Sequence, residues 1–189
     1  LVTVAIVAVV YFGVPRGSLP EPEPVDVAAA AESASASIGH PVLVPTVPDS
    51  WRANSARLEG SSMWRVVYAP KTGYIRIAQG IGQSADGDAW TSRVLGGFAP
   101  TGTVNIDGIE WDEYTIASSA RYDTVSYAIS TDAGSDVVLI YGATDADTAA
   151  TAAEGVADQI RDLADHGPTD AELSRAKAVL KAGLWMSDE

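Results

Sequence analysis

Two histidines and one serine are the side chains most suited to nucleophilic or metal chemistry, and none has the neighbours that such chemistry requires. His40 precedes Pro41, and His166 lies in a helix-breaking His-Gly-Pro sequence, so we expect both as solvated turn residues rather than as ligands. Ser84, in the sequence GQSAD, lacks the second glycine of a nucleophile elbow. The sequence therefore predicts no catalytic residue.

Two short motifs are suited in part to binding a phosphate group or an ion. Gly80-Ile-Gly82 lacks the third glycine of a dinucleotide-binding loop and lies at the end of a predicted strand. Asp86-Gly87-Asp88 offers two carboxylates of the kind that bind calcium, but the full twelve-residue ligand loop is missing. We therefore predict no cofactor and no metal ion.

Aromatic side chains are the remaining candidates, because aromatic residues are enriched at protein interfaces. Trp64, Trp111 and Tyr127 fall on predicted strands, where we expect them to fill the core. The other tryptophans could reach sheet edges or helix ends, and the one near the end of the last helix is the strongest candidate. The predicted partner-binding residues are Trp185, Leu184, Leu180, Trp51 and Trp90.

Net charge excludes one broad class of partner. The chain has 12 Lys and Arg residues against 25 Asp and Glu residues, which gives a formal net charge of -13. This excess opposes binding to phosphate backbones, so we predict no nucleic-acid partner. The sequence has no cysteine, so it excludes a disulfide framework, and an apolar core must stabilise the fold.

An uncharged apolar run from Leu1 to Val14 begins the sequence. As a helix it would be about 21 Å long, shorter than the roughly 30 Å hydrocarbon core of a bilayer. We interpret it as the outer part of a single helix that contacts the lipid bilayer and spans the plasma membrane; a signal-peptide segment and a buried core helix are the alternatives. Residues 15–24 form a Pro/Glu linker, and we expect the acidic domain beyond it to lie outside the cytoplasm.

Residues 25–165 are predicted to form this domain, with an α+β fold. An Ala-rich helix over residues 25–38 ends at Gly39. Pro41, Pro45 and Pro48 then exclude a helix and predict an extended strap that closes the fold. Residues with a period of two predict strands at 55–59, 63–69, 74–79, 102–106, 109–116, 124–130 and 136–142.

The connections and the remaining helices complete the predicted architecture. Asp107-Gly108 predicts a tight hairpin, and residues 132–134 predict a looser turn, so neighbouring strands should be antiparallel. We expect a twisted sheet of about five to seven strands, with helices packed on one face. The predicted helices cover residues 88–95 and 145–165, and an amphipathic helix lies within residues 166–189.

One predicted strand has apolar residues that change phase. In residues 109–116 the apolar positions run from Ile109 and Trp111 to Tyr114 and Ile116. If all four side chains face one core, the strand requires a bulge near residues 112–113. By contrast, every residue from 137 to 141 is apolar, which predicts a central strand covered on both faces.

These segments together resemble a known family. The sequences VDVAAAAESASASIGHPVLVP, DSWRANSARL, WRVVYAPKTGYIRIAQG and LGGFAPTGTVNIDGIEWDEY resemble the actinobacterial membrane-anchored proteins of domain-of-unknown-function family 4245, over about residues 25–163. The resemblance implies one amino-terminal transmembrane helix and an extracytoplasmic α+β domain, with no activity to carry over. The tail looks like the helix pair in the non-catalytic half of processing-peptidase and insulinase-type zinc peptidases, but their His-x-x-Glu-His motif is absent.

The sequence predicts a function in binding rather than in catalysis. We expect a non-enzymatic, membrane-anchored extracytoplasmic domain that binds a protein partner as an accessory subunit of a membrane or cell-envelope assembly, such as a respiratory one. A carrier or sensor of a small apolar ligand is the alternative. An enzyme would need a polar constellation, and its mark would be clustered carboxylates with perturbed pKa values in a cleft.

Overall fold

The computed structural model describes residues 23–116 and 125–166, which form seven strands and four α-helices. The α+β class is therefore confirmed. The predictions for the apolar run of residues 1–14, for most of the linker and for the last helix lie outside the described residues. The helices are α1 (Val27–Ile38), α2 (Gly87–Leu95), α3 (Ala146–Glu154) and α4 (Ala157–His166). The strands are β1 (Arg52–Glu59), β2 (Met63–Ala69), β3 (Tyr74–Gly80), β4 (Gly102–Ile106), β5 (Ile109–Thr115), β6 (Tyr127–Ala133) and β7 (Asp136–Ala143).

All seven strands form one open antiparallel sheet in the order β1-β2-β3-β7-β6-β5-β4. The predicted antiparallel sheet is confirmed. Asp107 has a φ of 51° and Gly108 a φ of 77°, as the predicted tight hairpin between β4 and β5 requires. Strand β7 lies at the centre, and its residues from 136 to 142 are all buried. The continuous apolar run thus marks the strand that other elements cover on both faces.

The first face of the sheet, defined by the side chains of Trp64, Trp111 and Ile140, carries the larger apolar core. In β2 the alternation places Trp64, Val66 and Tyr68 on this face, each at most 3% exposed. Helices α1, α3 and α4 pack on it through small side chains and a short aliphatic stripe. Their buried contributions are Ala31, Ala34, Ala149, Ala152, Ala153 and Ile160, and Val156 between α3 and α4 joins them.

The second face, defined by the side chains of Tyr114, Leu139 and Tyr141, has its own apolar cluster beneath α2. The prediction that helices pack on one face is therefore wrong. The change of apolar phase in β5 also arises because the sheet has a core on each face. The register of β5 against β4 and β6 is unbroken. Trp111 belongs to the first core and Tyr114 to the second, so the strand needs no bulge.

The segment after β7 forms two helices rather than the single predicted helix. The break lies at Gly155, where a Cβ atom would come within 1.9 Å of the carbonyl oxygen of Thr46. Thr46 also donates its amide hydrogen to the Gly155 carbonyl, at 3.0 Å. The helix is interrupted because the strap docks against its backbone there.

Strand β6 begins and ends three residues later than predicted. Its hairpin with β7 pairs Ala133 with Asp136, so the turn consists of Gly134 and Ser135, and Gly134 has a φ of 64°. This tight turn replaces the looser one predicted over residues 132–134. Ala128 and Ser130 are buried, so the second face is covered at this strand as well.

Candidate partner-binding surface

The strap, residues 40–48, contains no helix, as its three prolines predict, but His40 is not a solvated turn residue. It is 6% exposed, and its Nε2 lies 2.7 Å from Oδ2 of Asp136, which is fully buried. Gln79 donates to the same oxygen at 2.6 Å, and the amide of Gly82 donates to Oδ1 at 2.8 Å. Pro41 favoured a turn at this position. No local pattern in the sequence indicated the acceptor, Asp136, because it lies 96 residues away.

The environment of Asp136 decides its charge state. Burial raises the pKa of this carboxyl group, but the hydrogen bonds from His40, Gly82 and Gln79 outweigh it and hold the pKa below its usual value. Gln79 also accepts from the amide of Leu43 at 2.8 Å and donates to the Pro41 carbonyl at 3.1 Å. The network therefore fastens the strap to the sheet and is structural.

The second face offers more exposed chemistry, because one short helix covers it incompletely. Helix α2 lies between two clefts, and each is about 440 Å³ in volume. Residues Asp88 and Thr91 near its start line one cleft, whereas Arg93 and Val94 near its end line the other. The helix thus contributes to two sites of different character.

The acidic cleft lies between α2 and strands β5 to β7. It takes five carboxylates from three segments that are distant in sequence, together with hydroxyl groups of the neighbouring residues. Its acidic residues are Asp86, Asp88, Glu110, Asp112 and Asp132, and its hydroxyl residues are Ser84, Thr91, Ser130 and Thr131. Sheet pairing brings these groups together, since Asp112 lies opposite Ser130.

Two carboxyl groups of the acidic cleft have raised pKa values. Burial raises the pKa of Asp112, and the charges of Asp88 and Glu110 raise it further. Burial also raises the pKa of Asp132, and the charges of Asp88 and Asp112 raise it further. No described cation offsets either group, so the cleft holds mutually repelling charge at neutral pH.

The arginine groove lies on the other side of α2, over β2, β3 and β7. Arg65, Arg76 and Arg93 line it, and Tyr141 forms its floor. The Arg65 guanidinium donates to the Tyr141 hydroxyl at 3.0 Å, and that of Arg76 lies 5.5 Å from the centre of the Tyr141 ring. The apolar walls are formed by Met63, Val94, Leu95, Phe98, Ile116 and Val125.

The residues predicted to bind a partner are distributed differently from this surface. Trp51 is half-buried and packs against Tyr68, with 6.3 Å between the ring centres. Trp90 is 7% exposed, because Gly80 leaves room for its ring, so the exposed aromatic group expected there is absent. Leu180, Leu184 and Trp185 lie outside the described residues.

The short motifs noted in the sequence have structural roles. The amide of Gly82 donates a hydrogen bond to Asp136. A Cβ atom at Gly80 would come within 2.7 Å of the Trp90 ring. In the described part of the chain, no three His or acidic residues are arranged to hold a metal ion. No helix within residues 23–116 and 125–166 is long and apolar enough to cross a bilayer.

The family comparison covers this whole surface. A family model described as protein of unknown function (DUF4245) matches residues 1–156. The chain belongs to this family. The resemblance to DUF4245 stated from the sequence is confirmed, and the match includes every residue of the acidic cleft and the arginine groove. No curated protein and no solved structure matches the chain, so the resemblance of the tail to zinc peptidases gains no support.

Sequence reasoning missed both clefts of this DUF4245 chain. Alternation in β2 and β3 does place Arg65 and Arg76 on the face opposite Trp64, which was a usable signal. The strand order was not readable, because β7 inserts beside β3 and separates it from β4. That insertion places Tyr141 opposite Arg76 and within hydrogen-bonding distance of Arg65, and it puts the acidic strands in the other half of the sheet.

Proposed function

We propose that the chain is a membrane-anchored interaction domain outside the cytoplasm that binds a protein partner through the second face of its sheet. One observation carries the proposal: this face presents oppositely charged clefts on the two sides of a short helix. Charges arranged in this way orient a complementary surface and reject others. The membrane anchor and the role as an accessory subunit of an envelope assembly are parts of the same proposal.

The acidic cleft indicates what the partner would present. Its carboxylates repel one another, and a partner with clustered Lys or Arg side chains would relieve that repulsion. Association should then be fast at low ionic strength and should weaken as salt is added. A carrier of a purely apolar ligand fits less well, since both clefts on this face are open and charged.

Purification from native membranes in mild detergent, followed by mass spectrometry, tests this proposal. The wild-type chain should copurify with a defined protein, and the double variant Asp112→Lys/Asp132→Lys should lose it. The matched control is Glu32→Lys/Glu154→Lys, which makes the same charge change at exposed residues of α1 and α3. Recovery of the wild-type chain alone, or equal capture by both double variants, would contradict the proposal.

A second candidate, an acid–base enzyme at the acidic cleft, is favoured by the raised pKa values of Asp112 and Asp132. A carboxyl group that keeps its proton nearer to neutral pH is better suited to general acid catalysis. Glycoside hydrolysis is a reaction class that uses a pair of carboxyl groups, one protonated as the general acid and the other ionised as the base or nucleophile. Reducing-end release from envelope polysaccharide tests it: activity should appear with the wild-type chain and fall at least a hundredfold in Asp112→Asn, as for a lost general acid.

A further inference from the structure

The arginine groove has the features of a ligand site, independently of the proposed protein partner. Two of its three guanidinium groups, those of Arg65 and Arg76, are held before any ligand arrives, because Tyr141 contacts both. Arg65 donates to the tyrosine hydroxyl, and Arg76 also stacks on Tyr74, at 4.6 Å from the ring centre. Side chains positioned in advance lose less conformational entropy on binding.

Three arginines and no acidic residue are among the described residues that line this groove. Glu59 pairs with Arg65, but it also pairs with Arg57 at 2.8 Å, so one carboxylate faces two guanidinium groups. Arg93, at the rim, lies 3.6 Å from Asp86 in an exposed pair, which is weak in solvent. This arginine-rich lining contrasts with the net charge of -13 of the whole chain.

The walls of the groove have the opposite character. Met63, Val94 and Phe98 are half-buried, and they line the same space as Arg65 and Arg76. The volume of about 440 Å³ lies within the range of roughly 300–1,000 Å³ that is typical of small-molecule sites. A ligand that fills the groove must therefore combine an anionic group with an apolar one.

We infer that the arginine groove binds an anionic amphiphile, with its carboxylate or phosphate head on Arg65 and Arg76 and its apolar chain against Phe98, Met63 and Val94. Guanidinium groups suit both heads because they donate two parallel hydrogen bonds to such oxyanions. The head can come from a free amphiphile or from a membrane lipid.

Calorimetric titration of the full chain, held in discs of zwitterionic lipid, tests the inference, with the heat from empty discs subtracted. Decanoate and decyl phosphate should each bind saturably with one-to-one stoichiometry. Decyltrimethylammonium, which has the same chain and the opposite charge, should not bind. Equal binding of the cation, or no saturable binding of either anion, would overturn the inference.

Paired variants locate the site. Arg76→Gln should weaken decanoate binding roughly tenfold, as expected for a lost charge-assisted hydrogen bond. Arg57→Gln is the matched control, because Arg57 is 60% exposed and lies outside the groove lining, and it should leave the affinity within about twofold of wild type. Equal affinities of Arg76→Gln and wild type would overturn the assignment.

A milder variant covers the case in which Arg76→Gln fails to fold. Tyr141→Phe keeps the ring beneath Arg76 and removes the hydroxyl that positions Arg65, so it should weaken binding by a smaller factor, roughly threefold. Unchanged binding in a folded Tyr141→Phe chain counts against the site. Discs with phosphatidylglycerol identify the source: competition with decanoate assigns a lipid head group, and an unchanged affinity assigns a free amphiphile.

Discussion

The carboxylates on the two faces of the sheet have opposite surroundings. On the first face, Asp136 is fully buried and forms hydrogen bonds with His40, Gln79 and the Gly82 amide. On the second, Asp112 and Asp132 are more exposed, yet other carboxylates surround them. The pKa is lowered at the more deeply buried group and raised at the other two. Partners, rather than burial alone, set the charge state.

This difference separates groups that stabilise the fold from groups that remain free to interact. A carboxylate whose hydrogen-bonding capacity is filled within the molecule stabilises that arrangement. Repulsion within a cluster of like charges raises the free energy of the folded molecule. Binding to a cation or a basic partner would remove that repulsion.

Asp136→Ala should give the largest effect, because it leaves His40 and Gln79 buried without their common acceptor. We expect a loss of about 3–5 kcal/mol in the free energy of unfolding, as is typical of a broken buried pair. Urea denaturation followed by circular dichroism measures it. Asp112→Ala, made in parallel, should cost less than about 1 kcal/mol. Similar losses for the two variants would remove the distinction between the faces.

Gly155→Ala should rank next, because its added Cβ would collide with the Thr46 carbonyl and displace the strap. We expect a loss of about 1–3 kcal/mol in unfolding free energy, as for overpacking in a tight contact. Gly102→Ala is the matched control, since its Cβ would be no closer than 3.4 Å to a neighbouring side chain. A neutral Gly155→Ala variant would show that the strap docks loosely.

Acid should weaken the fold through Asp136. Since its folded-state pKa is lowered, this group contributes stability that is present above the unfolded value of about 4 and is lost as the pH falls through the folded value. Thermal unfolding measured from pH 7 to pH 2 should show the melting temperature falling below about pH 4. Asp136→Asn should flatten that fall, and an unchanged acid profile in this variant would assign the acid sensitivity to other groups.

The smallest effect is expected at the acidic cleft, and it has the opposite sign. Because the pKa of Asp112 is raised, its ionisation opposes folding, so Asp112→Asn should stabilise the chain at pH 7. Solvent screens this half-exposed group, and the gain should not exceed about 0.5 kcal/mol. Melting temperatures at low and high salt measure it, and the gain should shrink with salt. Destabilisation at low salt would show that Asp112 is compensated after all.

Much of the fold was readable from local patterns in the sequence. The strand over residues 63–69 and the hairpin at Asp107-Gly108 were predicted correctly, because alternation and turn chemistry depend on near neighbours. The errors involve distant contacts. His40 meets Asp136, Gly155 meets Thr46, and α2 covers the second face, and no short-range signal encodes these pairings.

The candidate surface was less predictable than the fold for the same reason. The arginine groove draws residues from β2, β3 and β7, whose adjacency depends on β7 inserting next to β3. The individual residues were unremarkable in sequence, because a charged residue at alternate strand positions is typical of any half-exposed strand. Only the sheet order gathers the arginines on one side of α2 and the carboxylates on the other.

The strap also constrains when the chain can finish folding. Val44 donates its amide hydrogen to Gln159 and accepts a hydrogen bond from the same side chain, both at 2.8 Å, across 115 residues. At a synthesis rate of about 5–20 residues per second, residue 44 is made roughly 6–23 s before its partner. Leu43, by contrast, has its partners Trp64 and Gln79 only 21 and 36 residues later in the chain. The strap can therefore be fastened to β2 and β3 early, but it is closed against α4 only when nearly the whole domain has been made.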